Sequence, residues 1–173
     1  MKIPVKKSMK KNYFSIFLLA IISVALNNCT NDDAQKKFET QAYGEPSNYT
    51  ETTFQGDIVQ IDNDDWRISP LYIGLADVLP IFPNPVQYGS NINLDVEING
   101  APVGSIIELG YLNNSNNWFP LQVMDITSDF EFVSFLINTR QFGSTAEQAR
   151  GIHRILLFDG NQRLITYGDL LIQ

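Results

Sequence analysis

Residues 91–99 read Asn-Ile-Asn-Leu-Asp-Val-Glu-Ile-Asn, and this stretch decides the fold class. Its apolar residues alternate strictly with polar ones, which is the period of a β-strand that buries one face and exposes the other. We expect the four apolar side chains to share the buried face, while Asn93, Asp95 and Glu97 face solvent. A strand of this kind packs one face on the hydrophobic core and leaves the other face in contact with solvent.

Short apolar runs separated by turn residues lie on both sides of this strand. Asp-Gly-Asn-Gln at 159–162 stands between two such runs, and Asp-Gly in this position favours a β-hairpin. The run at 130–137 is apolar on both faces, which indicates a central position between two layers. The predicted strands are 57–61, 71–75, 91–99, 107–111, 118–124, 130–137, 151–158, 163–167 and 169–172.

Helical signals are scarce in this part of the chain. The segment 144–150 has helical propensity but no apolar stripe, so it forms at most a turn or two. Evenly spaced strands without a long helix predict an all-β fold, an antiparallel immunoglobulin-like β-sandwich of about seven to nine strands. Ile-Phe-Pro-Asn-Pro-Val at 81–86 has two prolines that favour extended backbone, so it is expected to cross between the layers without pairing.

The first 28 residues have the composition of an export signal. Five lysines precede an uncharged, mostly apolar run at 13–26. As a helix this run would span about 21 Å, against about 30 Å of hydrocarbon in a bilayer. It therefore indicates a signal peptide rather than a membrane span. The chain's single cysteine, Cys29, follows directly.

Leu-Asn-Asn-Cys at 26–29 resembles the lipobox of bacterial lipoproteins, in which a signal peptidase cuts before the cysteine and the thiol carries a diacylglycerol. The resemblance implies a lipid on Cys29 and stable anchoring, because several acyl chains bind a membrane stably whereas a single chain binds it only marginally. The alternative is a free thiol beyond an ordinary signal peptide. Thr-Asn-Asp-Asp at 30–33 resembles the acidic tracts of surface-exported lipoproteins in Bacteroidetes. It implies the outer membrane, with the cell surface favoured over the periplasmic face.

These observations divide the chain into three parts. Residues 1–28 are the lipoprotein signal peptide, 29–56 the lipidated cysteine and a flexible tether, and 57–173 the β-sandwich domain. The tether is polar and has no period of a helix or strand. The alternative is that its threonine-rich end adds a strand to the sheet. Because no second cysteine is present, the exported domain depends on packing rather than on an internal disulfide.

The aromatic-Pro-Asn-Pro motif at 82–85 also resembles the opening of the C-terminal sorting domains used in type IX secretion, a Bacteroidetes pathway. The resemblance covers residues 81–173. Gly-Ile-His-Arg-Ile at 151–155 is loosely similar to the late glycine-aromatic strand of those domains. The resemblance implies a β-sandwich and kinship of fold.

Charge and motif content limit the classes of function. Seven basic and 19 acidic residues follow the signal, and this net charge of −12 argues against nucleic acid as a partner. The sequence has no nucleophile elbow, phosphate-binding glycine loop or zinc-ligand spacing. His153 is expected to be structural. We therefore predict no catalytic residue, no cofactor and no metal, although paired carboxylates of the glycosidase type stay open.

A few residues are candidates for ligand or partner contacts. Trp66 and Tyr72 could form a sugar-stacking platform, since amphipathic aromatic rings present large rigid faces. Burial under the preceding loop is the alternative. Asn114 and Asn116 offer amide groups at a loop tip, and Trp118 borders that loop.

Asp-Asn-Asp-Asp at 62–65 is the densest oxygen cluster, and calcium favours such ligands. An EF-hand loop would need another oxygen where Trp66 stands, so a solvated acidic turn is favoured.

Two functions remain after these exclusions. The first is a non-catalytic, lipid-anchored interaction or accessory module at the outer membrane, for example a subunit of a membrane protein complex. Its partners would be membrane lipid through Cys29 and an outer-membrane protein. The alternative is a glycan-binding lipoprotein that supports nutrient uptake. Glycan binding requires exposed aromatic rings, so their solvent exposure distinguishes the two.

Overall fold

The computed structural model describes residues 33–100, 105–113 and 116–173. Within these residues it confirms the predicted all-β fold, with nine strands in antiparallel sheets. Helix α1 occupies 33–42 and α2 is the single turn Ala146–Ala149, as predicted for 144–150. The strands are β1 (Glu51–Thr52), β2 (Ile58–Gln60), β3 (Ala76–Val78), β4 (Asn91–Ile98), β5 (Ile106–Leu112), β6 (Trp118–Asp125), β7 (Glu131–Asn138), β8 (Gly151–Asp159) and β9 (Leu164–Ile172).

Two sheets form the sandwich. One has three strands in the order β3-β4-β7, and the other has four in the order β6-β5-β8-β9. A small separate sheet joins β1 to β2. The apolar side chains that alternate along β4 are all buried, and they share one hydrophobic cluster with Ile107, Leu109 and Ile155 of the facing sheet. The alternation at 91–99 therefore predicted the buried face of β4 correctly.

The strand predicted at 71–75 is wrong. These residues form turns in which Leu75 N and Ala76 N both donate to the Tyr72 carbonyl. Gly74 has a φ of +76°, a conformation that glycine adopts without strain. Apolar side chains recur here because Tyr72 faces the core from a turn, and the strand begins only at Ala76.

The two strands predicted at 163–167 and 169–172 are one continuous strand, β9. Gly168 lies in its middle, opposite Ile155 of β8. A Cβ at this glycine would lie 2.2 Å from the Trp66 ring, so the residue is glycine because the indole rests on its backbone. The predicted hairpin between β8 and β9 is confirmed.

The central position predicted for 130–137 is also wrong. β4 is the central strand of the three-stranded sheet, and β7 lies at its edge. Val133, Phe135 and Ile137 face the core, whereas Phe132 and Leu136 are 63% and 58% exposed. In the described part of the chain, no second layer covers the outer face of this run.

The segment 81–86 crosses between the sheets as predicted, but it does pair. Phe82 bridges Asn93 of β4, and Val86 bridges Ile172 of β9. Proline removes a backbone donor only at positions 83 and 85, so Phe82, Asn84 and Val86 still donate. Asn84 is fully buried and satisfied: its amide nitrogen donates to Thr50 O and Asp169 O, and its amide oxygen accepts from Leu171 N.

The flexible tether predicted up to residue 56 requires correction, because residues 33–56 are part of the folded domain. Phe38 and Ala42 of α1 pack on the outer face of the four-stranded sheet, against Leu156 and Tyr167. The threonine-rich end does form a strand, β1, but this strand pairs with β2 in the small separate sheet and not with either sheet of the sandwich. The sequence pattern missed α1 because its buried stripe has only two apolar side chains. None of the described helices is long and apolar enough to cross a membrane.

Candidate functional site

Trp66 and Tyr72, the predicted sugar-stacking pair, both lie in the core. Trp66 has a left-handed φ of 57°, and its backbone N–H donates to Tyr167 O at 2.7 Å. Its indole rests on Gly168 and is only 6% exposed. The Tyr72 hydroxyl donates to Asp159 Oδ2 at 2.6 Å. Neither ring presents a face to solvent, so the alternative of burial applies to both.

Asp159 organises the turn of the β8–β9 hairpin. One carboxylate oxygen accepts from the backbone N–H groups of Asn161 and Arg163, and the other accepts from Tyr72 and the Arg163 guanidinium. Burial opposes ionisation, but these hydrogen bonds hold the pKa of Asp159 below its ordinary value. The carboxylate is thus committed to structure.

The asparagine loop is only partly described. Asn114 lies outside the described residues. Asn116 is exposed with a φ of 57°, and its backbone N–H donates to Asn113 O at 2.8 Å. Asn116 lines an open cleft of about 510 Å³ together with Arg154 and residues 44–46. The loop therefore presents an accessible amide, as expected for a loop tip.

Trp118 lies at the start of β6 and is partly buried. Its ring contacts Phe158 edge to face, with centroids 5.0 Å apart and planes at 89°. The two rings line a cleft of about 190 Å³ together with Tyr43, Glu108 and Gln162. These three residues were not identified from the sequence. No sequence pattern marks them. In the structure, the β5–β8 register sets Glu108 opposite Phe158.

A buried ion pair joins α1 to the four-stranded sheet. The Arg154 guanidinium binds Asp169 through Nε and Nη2, and both side chains are 3% exposed. Its Nη1 donates to the carbonyls of Gln41 and Ala42, at 3.0 and 3.1 Å. These carbonyls end α1, where a cation is stabilising. Arg154 therefore fixes the C-terminal end of α1 to β8.

Asp65, from the predicted acidic turn, also lies in this cluster. Its carboxylate accepts from Thr50 N at 2.7 Å and from Asp169 N at 2.9 Å. Burial and the charge of Asp169 raise the pKa of Asp65 to about 7. Among the described residues, no group of three or more His, Cys, Asp or Glu side chains is arranged to hold a metal ion.

His153 is buried between the rings of Tyr111 and Phe142. Its Nε2 donates to Ala149 O at 2.7 Å, which ties β8 to α2. Burial lowers the pKa of the imidazole. This environment is that of a structural histidine.

β7 is an edge strand of the three-stranded sheet. Among the described residues, β7 pairs only with β4. The free edge of β9 is instead covered, through bridges from Ile68 to Thr166 and from Val86 to Ile172. β7 thus has an unpaired edge beside exposed Phe132 and Leu136.

The structure does not gather the sequence candidates into one site. Trp66 and Tyr72 are in the core, Asn116 and Trp118 line different clefts, and Cys29 lies outside the described residues. Comparisons with protein-family models, with curated proteins and with solved structures found no match for this chain.

Proposed function

We propose that this chain is a non-catalytic interaction module, held at the outer membrane by a lipid on Cys29, whose protein partner docks along β7. The observation that carries the proposal is the exposed apolar edge formed by Phe132 and Leu136, which are 63% and 58% exposed. Large apolar side chains beside unpaired backbone groups are features of strand-addition sites.

In the residues that the structure describes, β7 lacks the usual protection of an edge strand. Its register with β4 runs without a bulge from Asn138 to Glu131, and it contains neither lysine nor proline. Natural proteins use these devices, or a covering element, to prevent edge pairing. β6, the neighbouring edge, carries Pro120 and faces a register shift in β5. The difference indicates that β7 is left open for a partner.

Charge beside β7 defines the chemistry of the partner. On the outer face of the sheet, Glu97 lies opposite Phe132, and Asp95 lies opposite Ser134. Asp77 of β3 lies next to Glu97. A strand that carries apolar residues with lysine or arginine would complement this surface, because opposite charges favour encounter and register. We assign the partner to an outer-membrane protein that provides such a strand.

The polar groups of the domain support a non-catalytic role. His153 donates to a backbone carbonyl, and Asp159 and Asp169 are each bound by an arginine. A general acid or base must reach a substrate, whereas these groups are buried and engaged. Glycan binding is less well supported, since Trp118 is the only accessible ring among the candidates Trp66, Tyr72 and Trp118. Its exposed neighbour Phe119 lies on the opposite face of β6 and stacks on Tyr111.

A photo-crosslinking amino acid at position 132 tests the partner. In cells that make the protein natively, it should yield one dominant membrane-protein adduct, and Leu136→Glu should reduce that adduct about tenfold by placing a charge in the interface. Position 54 is the matched control, since Phe54 is 75% exposed outside β7. Identical adducts from positions 132 and 54, or none from 132, would exclude docking along β7.

The lipid on Cys29 has its own test. Growth with labelled palmitate should label the wild-type chain and should not label Cys29→Ser, because the acyl chains are built on that thiol. Thr30→Ser alters the neighbouring residue without removing the thiol and should keep the label. Palmitate incorporation into Cys29→Ser would contradict the anchor.

A further inference from the structure

Three aromatic rings and one carboxylate converge on the cleft that follows α1. Tyr43, Trp118 and Phe158 supply the rings, and Glu108 and Gln162 complete the lining. The cleft lies on the four-stranded sheet and does not include β7, so it is separate from the proposed partner surface. An acidic side chain therefore lines the same cleft as three aromatic rings.

The two inner rings are held in place without a ligand. A Cβ at Gly110 would lie 2.4 Å from the Trp118 ring, so the indole rests on the backbone of β5. Phe158 stands at 89° to that indole. The two rings contact each other edge to face and are already fixed by packing, so a ligand would lose little entropy on ordering them. Tyr43 is 47% exposed and completes the open side.

Glu108 selects the charge of the ligand. It lies opposite Phe158 in the β5–β8 register and is half-buried. In the described part of the chain, no arginine or lysine forms an ion pair with it. A carboxylate beside electron-rich ring faces attracts a cation, since both contribute negative potential. The excess of acidic residues in the chain acts in the same direction.

The size and hydrogen-bonding capacity of the cleft further limit the class of ligand that fits. Its volume of about 190 Å³ is below the range of about 300–1,000 Å³ typical of pockets for whole ligands. Among the lining side chains only Glu108, Gln162 and the Tyr43 hydroxyl accept conventional hydrogen bonds, so a primary ammonium must find acceptors for its three N–H groups at these few positions. A quaternary ammonium has no N–H group, so it loses no hydrogen bonds to water when it enters the cleft.

We propose that this cleft binds a quaternary ammonium group, with Trp118 and Phe158 as its walls and Glu108 as its counter-charge. The inference does not depend on the proposed function. Because Tyr43 follows α1 directly, the cleft also requires that α1 be docked on the sheet.

Choline and its neutral isostere 3,3-dimethylbutan-1-ol provide the test. The full chain is labelled with ¹⁵N in a non-ionic detergent, and the two indole N–H signals are followed, since the chain has only two tryptophans. Choline should shift the Trp118 signal saturably at millimolar concentration, with an affinity about tenfold above that of the alcohol. The buried Trp66 signal should stay unchanged and reports an intact core.

Glu108→Gln keeps the size of the side chain and removes its charge, so it should weaken choline binding about tenfold. Glu51→Gln makes the same change on β1, outside the lining of the cleft, and should bind choline like the wild type. Equal affinity for choline and the alcohol, or unchanged binding by Glu108→Gln, would overturn the proposal. Tighter binding of Nα-acetyl-lysine amide than of choline would overturn the preference for a quaternary group.

Discussion

Phe135→Ala is expected to lower the free energy of unfolding by about 3–5 kcal/mol, the usual cost of truncating a buried phenylalanine to alanine. Phe135 lies on β7 with no exposed surface and pairs with Leu94 of β4. Its ring fills the space between the two sheets, and alanine leaves a cavity that the facing strands cannot close. Urea denaturation followed by tryptophan fluorescence gives the free energy of unfolding.

Phe132→Ala is the matched control, because it makes the same change on the same strand. Phe132 is 63% exposed on the opposite face of β7, and exposed substitutions usually stay within about 0.5 kcal/mol. The contrast between the two variants measures the one-sided burial of β7. A loss at Phe132 as large as that at Phe135 would mean that the outer face is covered, and would remove the basis for a docking edge.

Arg154→Met is expected to cost about 3–5 kcal/mol, because it leaves the buried Asp169 without its counter-charge. It also removes the donor to the last two carbonyls of α1, Gln41 and Ala42. The exposed Arg150 is the control, and Arg150→Met should be nearly neutral. Replacing both partners, as Arg154→Met with Asp169→Leu, should cost less than the sum of the single changes.

The loss caused by Arg154→Met should also depend on pH. Burial and the charge of Asp169 already raise the pKa of Asp65 to about 7, and without Arg154 both carboxyl groups lose a nearby cation. A carboxyl group whose pKa is higher in the folded state binds more protons there, so its stabilisation is lost as pH rises through that pKa. We expect a smaller loss at pH 5 than at pH 8. Equal losses at the two pH values would contradict the coupling of these carboxylates.

Local patterns predicted the parts of the fold that depend on neighbouring residues. The alternation along 91–99 identified the buried face of β4, and Asp-Gly identified the β8–β9 hairpin. The sequence could not distinguish β7 from β8, since both runs are apolar on two faces. β8 is covered by α1, whereas β7 has no cover in the described part of the chain.

The candidate sites depend on contacts between distant positions. In the sequence, Trp66 and Tyr72 resemble surface aromatic residues beside an acidic turn. In the structure, Trp66 packs on Gly168 and Tyr72 donates to Asp159, partners about 90 to 100 residues away in the chain. Glu108 and Phe158 meet only through strand pairing. Nothing local marks either residue as part of a cleft. Secondary-structure propensity and hydrophobic periodicity indicate the helix or strand to which a residue belongs. They do not indicate what that helix or strand packs against.

The docking of α1 determines how far the domain can stand from the membrane. With the lipid proposed on Cys29, only three residues separate the acylated position from Asp33, where α1 is already part of the fold. Fully extended, this link spans about 14 Å. The domain would thus move within a thin layer above the headgroups and encounter its partners by diffusion in two dimensions. Confinement of this kind raises the effective concentration of a membrane partner, so even a weak strand-to-strand contact along β7 could stay occupied.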